Sequence, residues 1–169
     1  LILDHEPYRA IYDVSEPVLY EDLSPGAHVL FAFPSRAWHE SVKSEGALAV
    51  RRFTVGGGGG AAAAGAAADF DPGAPFLVYS RPKGTYVGAD ADSVMVDFYL
   101  GNTRLGPDAH TVRLTVDDVL EAPLTAWVPH FLVGLPAGEH RIRLELLNAA
   151  GAPVGGSFAR AEAAITVER

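Results

Sequence analysis

Apolar residues in this chain fall in short runs with a period of two, not in the 3.6-residue phase of a helix. Runs rich in Val, Ile, Leu, Phe and Tyr, separated by Gly, Pro, Asp and Asn, predict strands at 1–4, 9–12, 18–23, 27–33 and 47–55. Further strands are predicted at 76–80, 94–102, 110–116, 124–128, 130–135, 138–147 and 162–167. In 138–147, Ile142, Leu144 and Leu146 share one face, so one side of that strand is buried and the other wetted. Strands at roughly 8–12-residue spacing with turn residues between them indicate an all-β fold, an antiparallel β-sandwich of the immunoglobulin-like kind. The pattern places Leu3, Phe31, Phe53, Phe98, Leu114, Trp127, Ile142, Leu144, Ile165 and Val167 in the core.

The chain also repeats itself. Gly26-Ala27-His28 matches Gly138-Glu139-His140 at an offset of 112, and Phe53-Thr54-Val55 meets Ile165-Thr166-Val167 without a gap. At the same offset Pro17 meets Pro129 and Leu23 meets Leu135, and one insertion earlier Leu3-Asp4-His5 aligns with Val116-Asp117-Asp118. The fold expected is therefore a tandem of immunoglobulin-like modules, residues 1–55 and 73–169, the first lacking its opening strands. Residues 56–72 between them are dominated by Gly56 to Gly60 and the alanines up to Ala68, a tract that predicts a poorly anchored linker. Gly56-x-Gly58-x-x-Ala61 has the letters of a dinucleotide fingerprint, but a glycine run matches any glycine motif and no βαβ unit surrounds it. Lys83-Gly84-Thr85 reads as a turn. The first residue is Leu1, and Leu1-Ile2-Leu3 reads as mid-strand, so the chain is expected to begin inside a larger protein.

Charge narrows the function. Thirteen Lys and Arg against 21 Asp and Glu give a formal charge of −8, which disfavours nucleic acid and anionic lipid as direct partners. With no cysteine, disulfides, thiolate metal sites and thiol nucleophiles are excluded. No run approaches the roughly 20 apolar residues of a membrane-spanning helix, and any targeting peptide or anchor is expected upstream of Leu1.

Several segments carry a resemblance: Leu1-Ile2-Leu3-Asp4-His5-Glu6-Pro7-Tyr8, Asp22-Leu23-Ser24-Pro25-Gly26-Ala27-His28, residues 33–43 and Tyr79-Ser80-Arg81-Pro82-Lys83-Gly84. Through these, and through Val96 to Leu100 and the 132–145 region, the chain resembles a group of uncharacterised proteins from cyanobacteria and green algae. The resemblance carries no activity over to this chain. It implies a photosynthetic organism and a chloroplast, thylakoid-associated setting, with the Gly/Ala tract an expansion where relatives have a polar loop.

Chemistry-bearing residues concentrate in Phe33-Pro34-Ser35-Arg36-Ala37-Trp38-His39-Glu40-Ser41-Val42-Lys43, whose repeat counterpart, 145–153, is a plain turn. Arg36, Trp38, His39, Glu40 and Lys43 suit a protein interface, since Trp and Arg bury large areas at contacts. The competing reading makes Trp38 a plug at the end of the sandwich with Arg36 paired to Glu40. Catalysis has no supporting constellation: His39 and Glu40 point apart in an extended chain, and Ser35 and Ser41 lie in no nucleophile-elbow pattern. The six histidines show no metal-ligand spacing, and His28 and His140, equivalent in the repeat, serve the fold. Asp90 and Asp92 lack the rest of a calcium loop, and Asp117-Asp118 reads as a hairpin tip. No cofactor is expected. The function expected is that of a non-catalytic structural or interaction subunit among other protein subunits. The alternative is a glycan- or ligand-binding module in which Trp38, Trp127 and Tyr86 supply stacking surfaces.

Overall fold

The computed structural model describes residues 1–44, 46–56, 65 and 67–169. The fold is all-β and does not close into a barrel. Its strands are β1 (Ile2–Leu3), β2 (Gly26–Ala32), β3 (Ala49–Val55), β4 (Phe76–Arg81), β5 (Gly84–Val87), β6 (Ser93–Gly101), β7 (Thr111–Val116), β8 (Leu120–Leu124), β9 (His130–Val133), β10 (Gly138–Leu147) and β11 (Arg160–Glu168). They form three sheets, ordered β1-β2-β3, β4-β6-β9 and β5-β11-β10-β7-β8. Pairing is antiparallel except between β5 and β11, which run parallel. Gly84-Thr85 therefore begins a strand and does not form the turn its sequence suggests.

The β4-β6-β9 sheet lies between the other two because it is apolar on both faces. Leu77, Val94, Val96, Phe98 and Leu100 pack with Leu114, Ile142, Leu144, Ile165 and Val167 of the five-stranded sheet. Phe76, Val78 and Tyr99 look the opposite way and join Ile2, Val29, Phe31, Phe70 and Phe158. Burial on two faces explains why Val94 to Leu100 reads as one apolar run in place of an alternation. Gly101 lacks a side chain for a packing reason: the Phe76 ring sits where a Cβ would be, 2.0 Å from its nearest atom.

The 112-residue offset recurs in the register. In the first unit β2 pairs with β3 from Gly26 opposite Val55, and in the second β10 pairs with β11 from Gly138 opposite Val167. Leu3 lies opposite Leu30 as Val116 lies opposite Ile142. Positive φ angles recur too, at Asp4 (51°) and Asp117 (54°), and at Gly26 (137°) and Gly138 (138°). Each aspartate makes the same pair of contacts. Asp4 Oδ2 lies 2.7 Å from His28 Nδ1 while its Oδ1 accepts from the Val29 N–H at 2.8 Å. Asp117 Oδ2 lies 2.7 Å from His140 Nδ1, and its Oδ1 accepts from the Arg141 N–H at 2.7 Å. The far ring nitrogens meet the carbonyls of Ser24 (2.8 Å) and Pro136 (2.9 Å), so both histidines fasten a strand to the turn before it.

The two units nevertheless bury opposite faces. The second turns His140, Ile142 and Leu144 inward, whereas the first turns Val29 and Phe31 inward against the middle sheet. This overturns the placement of Phe53 in the core: it lies beside His28 on the outward face and is 37% exposed. Trp127 is only half-buried, its Nε1 donating to the Phe98 carbonyl at 2.9 Å. Leu3, Phe31, Phe98, Leu114, Ile142, Leu144, Ile165 and Val167 are buried.

Other differences from the sequence pattern have local causes. Residues 9–12 and 18–23 form no strand, having no described strand beside them to complete a ladder beyond the Leu1–Arg9 pair. The strand expected at 124–128 lies at Leu120–Leu124, because the left-handed Asp117-Asp118 pair folds the chain back tightly onto β7. Of the expected linker, 57–64 and Ala66 lie outside the described residues. Its end is anchored: Ala67 is fully buried, with its N–H on the Ala27 carbonyl at 3.2 Å, Phe70 is 4% exposed, and Asp69 accepts from the Ser157 hydroxyl at 2.6 Å. Among the described residues no helix is long and apolar enough to cross a membrane.

Candidate interaction site

Between β2 and β3 the chain forms a narrow finger. Arg36 N–H donates to the Glu40 carbonyl (2.9 Å), Val42 N–H to the Pro34 carbonyl (3.0 Å) and His39 N–H to the Arg36 carbonyl (2.8 Å), with Ser35 bridged to Ser41. The second unit builds the same finger from Asn148 to Ala152 (2.9 Å), Val154 to Leu146 (2.9 Å) and Gly151 to Asn148 (2.9 Å), with Leu147 bridged to Pro153. Every partner is displaced by 112 residues. The first unit thus departs from the second here in side chains and not in backbone. His39 even occupies the left-handed position (φ 67°) that Gly151 fills in the other finger (φ 76°), a conformation costly for a residue with a Cβ.

The side chains divide into two layers. At the tip, Trp38 is 59% exposed, its Nε1 donating to Glu40 Oε2 at 2.8 Å. The Arg36 guanidinium lies 5.6 Å from the Trp38 ring centre, and its Nε is 3.7 Å from Glu40 Oε1. An exposed Trp38 excludes the core-plug reading, though the Arg36–Glu40 pairing within that reading is present. At the base, Lys43 pairs with the fully buried Asp97 of β6, whose second oxygen accepts the Ser41 N–H at 2.8 Å. Lys43 also lies 3.0 Å from Ser41 Oγ, the spacing of a Ser–Lys nucleophile pair. Ser41 is 1% exposed, however, and with Lys43 engaged by Asp97 the arrangement leaves no room for a substrate and acts as a clamp. Lys43 accordingly leaves the contact set, and Arg36, Trp38 and Glu40 remain together at the tip.

His39 points to the side of the finger, half-buried 5.6 Å from the Tyr8 ring. Burial, with the Arg81 and Lys83 charges nearby, holds its pKa below the usual histidine value. Lys83 Nζ stands 3.5 Å over the centre of the Tyr8 ring and donates to the Tyr8 carbonyl at 2.8 Å, while Arg81 donates to the Tyr8 hydroxyl at 2.9 Å. Burial and the neighbouring Arg81 also depress the Lys83 pKa. Tyr8, Arg81, Lys83 and Asp97 have no role in the sequence reading; a lone Asp in an apolar run is the one signal that pointed to the clamp.

The stacking surfaces proposed for a glycan do not assemble. Tyr86 is buried at 8% exposure, and Trp127 packs edge-on against Tyr99 (4.9 Å) between the two cores, leaving Trp38 without an aromatic partner from that set. Asp90 and Asp92 lie at a short helical turn where Asp92 pairs with Arg169 at 3.0 Å. Among the described residues no three His, Asp or Glu side chains converge on a common point. The chain matches no family model and no curated protein sequence.

Proposed function

We propose that this chain is a non-catalytic interaction subunit whose first unit binds another protein through the tip of the 34–42 finger. One observation carries the reading: the same backbone finger occurs twice, bare in the second unit (Asn148, Ala150, Gly151, Ala152) and bearing Arg36, Trp38, His39 and Glu40 in the first. The fold does not require those side chains, because the second finger closes without them. The clamp below holds the finger in place and Glu40 holds the indole in one orientation, so Trp38 loses little freedom on binding. The equal registers support the finer reading of the fold as two immunoglobulin-like modules, the first reduced to one sheet. The chloroplast setting rests on the sequence resemblance alone.

The test is co-purification of associated chains with wild-type, Trp38→Ala and Arg36→Ala protein, alongside thermal melting of each. Both variants should melt like wild type and lose about 2 kcal/mol or more of association free energy. Equal recovery of partner by all three, or unfolding of Trp38→Ala, would defeat the reading.

A further inference from the structure

The first unit leaves partly open a face that the second unit closes. Given the shared register, Leu1, Leu3, Leu30, Ala32 and Phe53 stand where the second unit has Leu114, Val116, Ile142, Leu144 and Ile165. Those five are buried against Val94, Val96, Phe98 and Leu100 of β6. No described strand crosses the matching face of the first unit, where Leu3 and His28 are buried but Leu1, Leu30 and Ala32 are half-buried and Phe53 is 37% exposed. Residues 18–21 stand at the positions of β9, which pairs with β6, yet they pair with nothing as a strand, and Leu19 is 67% exposed. At the Leu1 and Ala32 end of this face opens a cleft of about 770 Å³, lined also by Ile11, Val14 and Val18 and by residues 34–37 of the finger.

The cleft also has a charge of its own. Arg9 and Arg36, the latter paired with Glu40, line it with a single carboxylate, Glu16, in a chain whose net charge is −8. Arg9 donates to the Leu19 carbonyl at 2.9 Å and lies 5.8 Å from the Tyr20 ring centre, and Arg51, beside Leu30 on the open face, donates to the Val50 carbonyl at 2.9 Å. Among the described residues neither Arg9 nor Arg51 has a carboxylate partner within the 4.0 Å of an ion pair.

We infer that the cleft takes an extended strand from a partner polypeptide, apolar at alternate positions as β6 is and acidic at its ends. The second unit shows which side chains such a strand would offer, and residues 18–21 supply an unladdered backbone beside it. The inference rests on the interaction reading and shares Arg36 and one flank of the finger with it, but not Trp38, so the Trp38→Ala variant separates the two.

The probe is a labelled synthetic peptide with the sequence of Ser93–Gly101 between pairs of Glu, compared with a scrambled peptide of the same composition and with a Lys-flanked version. Binding is read by fluorescence anisotropy and located by NMR shifts. The Glu-flanked peptide should bind saturably and shift Leu1, Ile11 and Ala32, while the scrambled one should not bind. The Lys-flanked version should bind about tenfold more weakly at low salt. Val14→Glu, at a position 91% exposed and so safe for folding, and Ile11→Glu should each weaken binding about tenfold. Trp38→Ala should bind the peptide as wild type does. Equal binding of the scrambled peptide, wild-type affinity in both cleft variants, or absence of binding would overturn the inference. So would a concentration-dependent dimer that Ile11→Glu dissolves, since a second copy would then be the occupant, or uptake of small apolar dyes with no peptide binding. Failure of the peptide with an intact Trp38 effect would leave the finger reading standing.

Discussion

The two halves of this molecule share strand registers, a histidine clasp and a finger, yet they solve the burial problem in opposite ways. The second unit faces the middle sheet with the row that includes Ile142 and Leu144, and its other row is polar: Arg141, Arg143 and Glu145. In the first unit the row equivalent to Arg141 and Arg143 is Val29 and Phe31, and these pack on the far side of the same middle sheet. Changing which row is apolar moves a sheet from one side of a neighbour to the other without altering its hydrogen bonds, since successive side chains point to opposite faces. The backbone pattern and the choice of buried face are therefore specified separately.

Core substitutions break this comparison most sharply. Phe31→Ala should cost about 3–5 kcal/mol in denaturant unfolding, and Ile142→Ala about 2–5, because both side chains are fully buried. Phe53→Ala should cost about 1 kcal/mol, far less than Ile165→Ala at the equivalent position of the second unit. Lys43→Met should cost about 3–5 kcal/mol, since it leaves the Asp97 carboxylate buried without its cation.

At the finger the expected changes are smaller. His39→Gly should leave stability unchanged or raise it by up to about 1 kcal/mol, as the second finger already uses glycine at that left-handed position. A fall in melting temperature would show instead that the contact with Tyr8 outweighs the backbone strain.

The gentlest probe is pH. The Ser24 carbonyl and Asp4 raise the His28 pKa, and Asp117 with the Pro136 carbonyl raises that of His140. Each clasp then stabilises the fold fully below the ordinary histidine pKa of about 6.5, and that part is lost as pH climbs through the raised folded value. Burial acts to raise the Asp117 pKa, but the bonds from His140 and the Arg141 N–H outweigh it and the net shift is downward, so its contribution fades only on acidification through that lowered value. Melting followed from near pH 6 upward should show a shallow decline, flatter in Asp117→Asn. A decline equally steep in that variant would remove His140 as its cause.

Much of this was legible in the sequence because period-two alternation and turn residues are local signals. The 138–147 strand and the 112-residue repeat came from such signals, and both have matching strands or contacts in the structure. What was not legible depends on neighbours distant in sequence. Phe53 and Ile165 occupy one register position, and only the placement of the middle sheet decides that one is exposed and the other buried. Residues 9–12 and 18–23 have strand composition but lack a described neighbour to pair with beyond Leu1. At the finger, residue types identified Trp38 and Arg36 as contact candidates, while Lys43 could be reassigned only through Asp97, 54 positions away.

The face inversion is tested most directly by thiol labelling, which the absence of native cysteine leaves free of background. Phe53→Cys and Phe31→Cys variants are exposed to a maleimide under native conditions and the modification rates compared. Phe53→Cys should react at a rate near that of an unfolded control, while Phe31→Cys should be protected until the chain unfolds. Rapid labelling of Phe31→Cys with protection of Phe53→Cys would mean that the first unit buries the same row as the second, and that the two halves are not inverted.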